Sequence, residues 1–150
     1  MLHGDLDGTE CEKPIEKIWW FGYNKEKHRS RKRENIMPVT IKMLLDQYTE
    51  ILRKIYGSHL KTVILYGSYA RGDYRADSDI DIMILLDLSD MDIKQYRHEL
   101  SGETFDFNMD HDLDIQPIAK SQQHFQNWVD VYPFYANVKR EGIKLFDAAV

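Results

Sequence analysis

Two aspartates at alternate positions, Asp79 and Asp81, have the residue type and the spacing for metal chemistry. The segment from Asp79 to Leu86 predicts a strand, because aliphatic and β-branched side chains suit a buried sheet. Side chains at i and i+2 on a strand share one face, with Cα atoms about 6 to 7 Å apart. Mg²⁺ binds through one or two carboxylates together with substrate phosphates and water. The pair therefore predicts a divalent-metal site that a phosphorylated substrate completes.

A glycine-containing loop, Gly67-Ser68-Tyr69-Ala70-Arg71-Gly72, precedes this pair and follows the predicted strand Thr62 to Tyr66. Glycine allows close approach of the backbone, and the amides that follow it can bind phosphate oxygens together with the Ser68 hydroxyl. Arg71 adds a guanidinium. The loop therefore predicts a phosphate-binding turn. It lacks the Gly-Lys-Ser/Thr ending of a P-loop, and Ser68 lacks the second glycine of a hydrolase elbow.

The elements around these residues predict an α+β or α/β domain with a small mixed sheet flanked by helices. Apolar residues at helical spacing between Ile41 and Ile55 predict a helix that Gly57 ends. Ser89 is the expected N-cap of a second helix that runs to about Gly102. The later segments are predicted as extended Thr104 to Asn108 and Leu113 to Ile118, helical Ser121 to Val131 with Phe125, Trp128 and Val129 buried, helical Pro133 to Gly142, and extended Ile143 to Phe146.

The order of motifs resembles a known signature. The segment Gly67 to Gly72, five intervening residues and then Ser78-Asp79-Ile80-Asp81 resemble the signature of the DNA polymerase β-like nucleotidyltransferase superfamily. Within it, the chain most resembles the minimal nucleotidyltransferases. The resemblance covers about Met37 to Phe146, and Pro133 to Gly142 is similar to the ending of small bacterial members. It implies the nucleotidyltransferase fold.

The resemblance also implies roles for individual residues. Asp79 and Asp81 would hold two Mg²⁺ ions. Gly67 and Ser68 would bind the β- and γ-phosphates of a nucleoside triphosphate. Arg71 and Ser78 belong to the same nucleotide-binding signature.

A third carboxylate normally completes such a site, as a metal ligand and as a base for the acceptor's proton. The candidates are Asp106, Asp110, Asp112 and Asp114. Asp114 fits best, because it lies in an extended segment between apolar neighbours. Asp112 shares its face and stays an alternative, and Pro117 indicates an edge strand or a bulge.

The expected reaction is Mg²⁺-dependent transfer of a nucleoside monophosphate, AMP from ATP, to a hydroxyl. Small members of the family commonly pair with a helical HEPN-type toxin and attach AMP to it, so the first expectation is an antitoxin. Modification of a small molecule such as an aminoglycoside is the alternative, with a homodimer or a separate subunit completing the pocket. A non-catalytic module that binds nucleotide or toxin is the alternative from another class.

Composition and charge restrict the classes of function and the cellular location that we expect. A net charge of −5 argues against general nucleic-acid binding. No apolar run approaches the ~20 residues that cross a bilayer, and neither a secretory signal nor a cysteine pair is present. We therefore expect a cytoplasmic protein. Residues 1–36, with Trp19-Trp20-Phe21 and a basic run, are expected to be a poorly ordered extension of a domain at 37–150.

Overall fold

The structure, a computed structural model, describes residues 37–148. The predicted extension at 1–36 lies outside the described residues. The described helices are α1 (Val39–Tyr56), α2 (Gly67–Arg71), α3 (Asp90–Ile93), α4 (Arg97–His111), α5 (Gln122–Trp128) and α6 (Pro133–Glu141). The strands are β1 (Leu60–Tyr66), β2 (Ile80–Leu86), β3 (Ile115–Ser121) and β4 (Ile143–Asp147), and short 3-10 turns occupy Gly57–His59 and Lys94–Tyr96.

The strands form one mixed sheet in the order β3-β2-β1-β4. β1 pairs antiparallel with β2 and β4, whereas β2 pairs parallel with β3. The expected α+β class with a small mixed sheet is confirmed. Within the described sheet β3 is an edge strand, as Pro117 predicts, because proline has no N–H to donate and is tolerated where that position faces away from the neighbouring strand.

Both faces of the sheet are buried, which explains why β2 is apolar at nearly every position. Ile82 and Ile84 pack in one cluster with Leu45 and Leu52 of α1. Met83 and its neighbours on the opposite face pack against α5 and α6. Within β2 the single acid is Asp81, near Asp79 at the start of the strand, so the packed core fixes the place of both aspartates. Within residues 37–148, no helix combines the length and the apolarity that crossing a bilayer requires.

The segment after Ser89 differs from the prediction. Ser89 does cap a helix, since its Oγ accepts a hydrogen bond from the Asp92 N–H at 3.2 Å. The helix then breaks at Lys94–Tyr96 and restarts as α4, which continues past Gly102 to His111.

The predicted extended segment Thr104 to Asn108 is wrong, because it is helical. Thr104 and Phe107 are buried on α1, where the Thr104 Oγ1 lies 2.7 Å from the Tyr48 Oη. Packing on another element decides this conformation, and the local residue pattern is too polar to reveal it. Asp106 and Asp110 therefore lie on a helix.

One burial prediction on α5 is also wrong. Phe125 and Val129 are buried as expected, but Trp128 is 40% exposed. Its ring lies beside Tyr132 at a centroid distance of 5.2 Å, in the turn that leads to α6.

Candidate active site

Gly67 is required where β1 ends. Its φ is 72°, a left-handed value that glycine adopts without strain. A Cβ atom added to Gly67 would overlap the carboxylate of Asp81. The first residue of α2 therefore lies directly against the aspartate of β2, as a turn that binds phosphates beside a metal requires.

Asp79 and Asp81 lie at one end of the sheet, and Asp81 opposes Tyr66 of β1. Asp81 is partly buried. Burial raises the pKa of its carboxyl, the charge of Asp79 raises it further, and Arg71 opposes both effects. Burial followed by the Asp81 charge raises the pKa of Tyr66 to about 12. The effect of Asp79 on the pKa of Asp81 shows that the charges of these two carboxylates repel each other.

β3 brings the third predicted carboxylate to the same end of the sheet. The Ile80 N–H donates to the Asp114 carbonyl at 2.8 Å, and the register pairs Ile80 with Ile115 and Asp81 with Gln116. Paired residues of parallel strands point to the same face. Continuing this register by one residue places Asp114 opposite Asp79, on the face of the sheet that carries both aspartates.

Gln116, which sequence reasoning missed, lies between these groups. Its Nε2 donates to Asp114 Oδ1 at 2.5 Å. Among residues 37–148, no three His, Cys, Asp or Glu side chains stand close enough together to hold an ion. Asp112 has a left-handed backbone, with φ 52°, as the C-cap of α4. Asp114 directly precedes β3 and its carbonyl bonds to β2, whereas Asp112 lies two residues further from the strand.

Arg71 connects the loop to the C-terminal helix. Its Nε lies 3.3 Å from Asp73 Oδ2, and its Nη1 lies 3.7 Å from Glu141 Oε2. A hydrogen bond from Arg140 holds the pKa of Glu141 below its ordinary value, and the charges of Arg140 and Arg71 add to the effect. Sequence reasoning missed Glu141, although it lies in the Pro133 to Gly142 segment that carries part of the resemblance.

The two serines of the motif differ in their surroundings. Ser68 lies in the first turn of α2, and its carbonyl accepts the N–H groups of Gly72 and Asp73, which ends that helix. Ser78 Oγ accepts the Arg75 N–H at 2.8 Å and shapes the loop before β2. Tyr69 stacks on Tyr74 at 4.3 Å, so its ring packs within the loop.

The donor set suits Mg²⁺ without a complete protein cage. Two carboxylates that repel each other, one with a pKa raised by burial and then by the charge of the other, are a site that a divalent cation neutralises. The remaining ligands would come from substrate phosphates held at Gly67. The geometry therefore favours chemistry at a phosphate ester or anhydride.

Comparisons with known proteins agree with this geometry. Residues 45–141 match the nucleotidyltransferase domain family. A candidate protein adenylyltransferase of Methanocaldococcus jannaschii is 33% identical over 102 residues, which cover 68% of this chain and 94% of the relative. A second one from the same organism is 28% identical over 87 residues, which cover 58% and 86%.

A crystal structure of a toxin–antitoxin pair with AMP-PNP aligns at 23% identity with a TM-score of 0.43, covering 69% of this chain and 73% of that one. The family match extends over more than half of the chain, and the first relative shares a third of its aligned residues. The chain belongs to the nucleotidyltransferase domain family and is a nucleotidyltransferase.

Proposed function

We propose that the protein transfers AMP from ATP to a hydroxyl group of another protein. The observation that carries this proposal is the approach of Gly67 to Asp81, with Asp79 beside it and Asp114 next in register. A phosphate-binding turn and a carboxylate pair meet there at one end of the sheet.

Each residue has a defined task in this proposal. The α2 amides and Ser68 hold the outer phosphates, and Arg71 adds positive charge. Asp79 and Asp81 would hold two Mg²⁺ ions together with the substrate phosphates, and the ions would offset the charge of the triphosphate and favour ionisation of the acceptor hydroxyl. Asp114 does not form a three-carboxylate cluster with them in the structure, so it would have to come closer to act as a third ligand. Asp114 would accept the hydroxyl proton.

The bonds balance in a single displacement. The acceptor oxygen forms a bond to the α-phosphorus, and the bond from that phosphorus to the oxygen bridging the α- and β-phosphates breaks. Pyrophosphate leaves with the electron pair, and the hydroxyl proton passes to a carboxylate. The protein contributes position and electrostatic stabilisation, which carry most of phosphoryl-transfer catalysis.

A protein acceptor is supported by the two archaeal relatives, both named as candidate protein adenylyltransferases, of which the aligned residues cover 94% and 86%. The resemblance to minimal nucleotidyltransferases supports a more specific acceptor, a helical HEPN-type toxin that the enzyme inactivates. In that role the protein is the antitoxin of the pair and acts in the cytoplasm.

Two other functions predict different results. A small-molecule nucleotidyltransferase, with a homodimer or separate subunit completing the pocket, would label a small molecule. A non-catalytic module would bind nucleotide without turnover. The exposed position of Asp114 at the same end of the sheet as the pair favours catalysis, because a hydroxyl from outside can reach it.

Incubation with ATP labelled at the α-phosphate, Mg²⁺ and host lysate separates these functions. The proposal predicts label on a protein band, lost on addition of EDTA and in the Asp79→Asn variant. Label on a small molecule instead would identify the alternative enzyme. No label dependent on Asp79 would contradict an enzymatic role.

A further inference from the structure

Among residues 37–148, no strand pairs with β3 on the side away from β2, and a groove runs along this edge. It has a volume of about 830 Å³ and lies between β3 on one side and α3 and α4 on the other. Its walls include Ile118, Phe105 and Arg97, and Phe105 is 64% exposed although it is a large apolar residue. An exposed aromatic residue beside an unpaired strand edge marks a surface suited to binding a partner.

The backbone of β3 presents hydrogen-bonding groups to this groove. Because the Ile80 N–H bonds to the Asp114 carbonyl, the N–H and C=O of Gln116 face β2, and those of Ile115, Pro117 and Ala119 face away.

The first outward-facing residue already has a partner. The Asn108 side chain accepts from the Ile115 N–H at 2.9 Å and donates to the Ile115 carbonyl at 3.2 Å, as a neighbouring strand would. The outward carbonyls of Pro117 and Ala119 and the outward N–H of Ala119 follow it along the groove.

One end of the groove reaches the candidate third carboxylate, Asp114. Asp114 and Gln116 form one end of its wall, and both are in register with the catalytic strand. The groove therefore leads to the carboxylate that would take the acceptor's proton.

Among the described residues that line the groove, three basic side chains, Lys94, Arg97 and Lys120, outnumber the single acidic side chain, Asp90, at its opposite end. Lys120 lies six positions along β3 from Asp114, which corresponds to about 20 Å. α4 runs back antiparallel to β3, because Asn108 contacts Ile115. Its first residue, Arg97, therefore lies toward the Lys120 end with Lys94, and both line the groove.

We propose that the groove binds an extended segment of the acceptor protein as an added strand along Pro117 and Ala119. The target hydroxyl would lie at the Asp114 end, and acidic side chains would lie roughly six residues away beside Lys94, Arg97 and Lys120. This inference rests on the proposed transfer to a protein. It identifies the acceptor site as a flexible, acidic, hydroxyl-bearing segment.

The probe is a synthetic peptide of about eight residues, with tyrosine at one end, alternating valine and threonine in the middle, and two glutamates at the other end. Binding to the full chain without nucleotide is followed by NMR and by amide hydrogen exchange. The proposal predicts slowed exchange at the Ala119 amide and shifts at Ile118 and Lys120. Exchange at Ala119 that a saturating peptide leaves unchanged would overturn it.

N-methylation of alternate peptide nitrogens tests strand addition directly. One alternating pattern removes the donors that face β3 and should abolish binding, whereas the other removes donors that face solvent and should preserve it. Equal binding of the two methylated peptides would show that no strand is added.

Charge reversal tests the basic end during catalysis. Lys94→Glu and Arg97→Glu should lower AMP transfer to the peptide tyrosine at least about tenfold, with binding of Mg²⁺ and ATP unchanged. The matched control Lys54→Glu, exposed on α1 outside the groove, should transfer normally.

The two proposals fail separately. If Asp79-dependent labelling of lysate protein persists at full strength in Lys94→Glu and Arg97→Glu, the groove is not the acceptor site, and the proposed function still stands. A peptide that protects Ala119 but receives no label, with no lysate protein labelled, would support the groove as a binding site and disprove the transfer.

Discussion

At the residue scale, the site depends on the contact between Gly67 and Asp81. The glycine gives the turn its positive φ and leaves space for the carboxylate. The sequence predicts both residues and their general roles. It does not predict their contact, because the antiparallel register of β1 and β2 brings the two strand ends together.

Asp81→Asn should separate function from stability. Loss of one preorganised charge should lower transfer by at least about 10²- to 10³-fold. Without metal, the variant should unfold at a higher temperature, because it removes the repulsion and the burial cost that raise the pKa of Asp81. Asp87→Asn is the control, since Asp87 is 71% exposed just after the same strand. A less stable Asp81→Asn protein would instead mark this aspartate as structural.

Gly67→Ala should abolish transfer by displacing Asp81. Substitutions at two other glycines separate the displacement of Asp81 from general effects of alanine on the backbone. Gly57 also has a positive φ but open space around it, so Gly57→Ala should lose about 1–3 kcal/mol of stability through backbone strain and keep activity. Gly102→Ala, in the interior of α4 with nothing nearby, should gain about 0.5–1 kcal/mol. Activity assays and urea denaturation of the three variants provide the test, and full activity in Gly67→Ala would refute the contact.

At the element scale, α4 positions β3 and therefore Asp114. The polar residue pattern of α4 does not predict its second half as helical, whereas the strongly periodic α1 and the apolar β1 and β2 are predicted correctly. Tertiary contacts of Thr104, Phe107 and Asn108 determine α4 and its role.

Asn108→Ala should destabilise the edge strand and slow catalysis. It leaves the Ile115 N–H and C=O without a partner, at a cost of about 1–3 kcal/mol. The resulting shift of Asp114 should lower kcat roughly tenfold. Asn108→Asp keeps an acceptor for the Ile115 N–H but loses the donor to the Ile115 carbonyl. Its stability and its kcat should therefore lie between those of the unmodified protein and those of Asn108→Ala. An unchanged kcat in a destabilised Asn108→Ala would show that Asn108 stabilises the edge strand β3 without positioning Asp114.

Tyr48→Phe should weaken the contact between α1 and α4 in a pH-dependent way. Thr104 donates to the Leu100 carbonyl, so Tyr48 donates to Thr104, and its loss should cost about 1 kcal/mol at neutral pH. Burial raises the pKa of Tyr48 from 10.0 to about 12. Its stabilisation is therefore complete below pH 10 and is lost as the pH rises toward 12.

Urea denaturation across this range should show the difference between Tyr48→Phe and the unmodified protein shrinking. The exposed Tyr132→Phe is the control and should show no such trend. A constant difference for Tyr48→Phe would exclude the buried hydroxyl as the cause.

At the scale of the whole molecule, the motif residues were predictable because their chemistry depends on local spacing. Gly67, Ser68, Asp79 and Asp81 lie within one short segment. Asp114 required the resemblance, and its parallel register with β2 is visible only in the structure. Glu141, Gln116 and Asn108 were missed, because their partners are set by packing between elements that are distant in the chain.

The measurement that tests the central claim most directly compares ATP labelled at the α-phosphate with ATP labelled at the γ-phosphate in parallel reactions. Nucleotidyl transfer predicts that only the α-label reaches the acceptor protein, that the γ-label leaves as pyrophosphate, and that both events stop in Asp79→Asn and Asp81→Asn. Transfer of the γ-label to the acceptor, or α-labelling by either variant at the level of the unmodified protein, would contradict nucleotidyl transfer at this site.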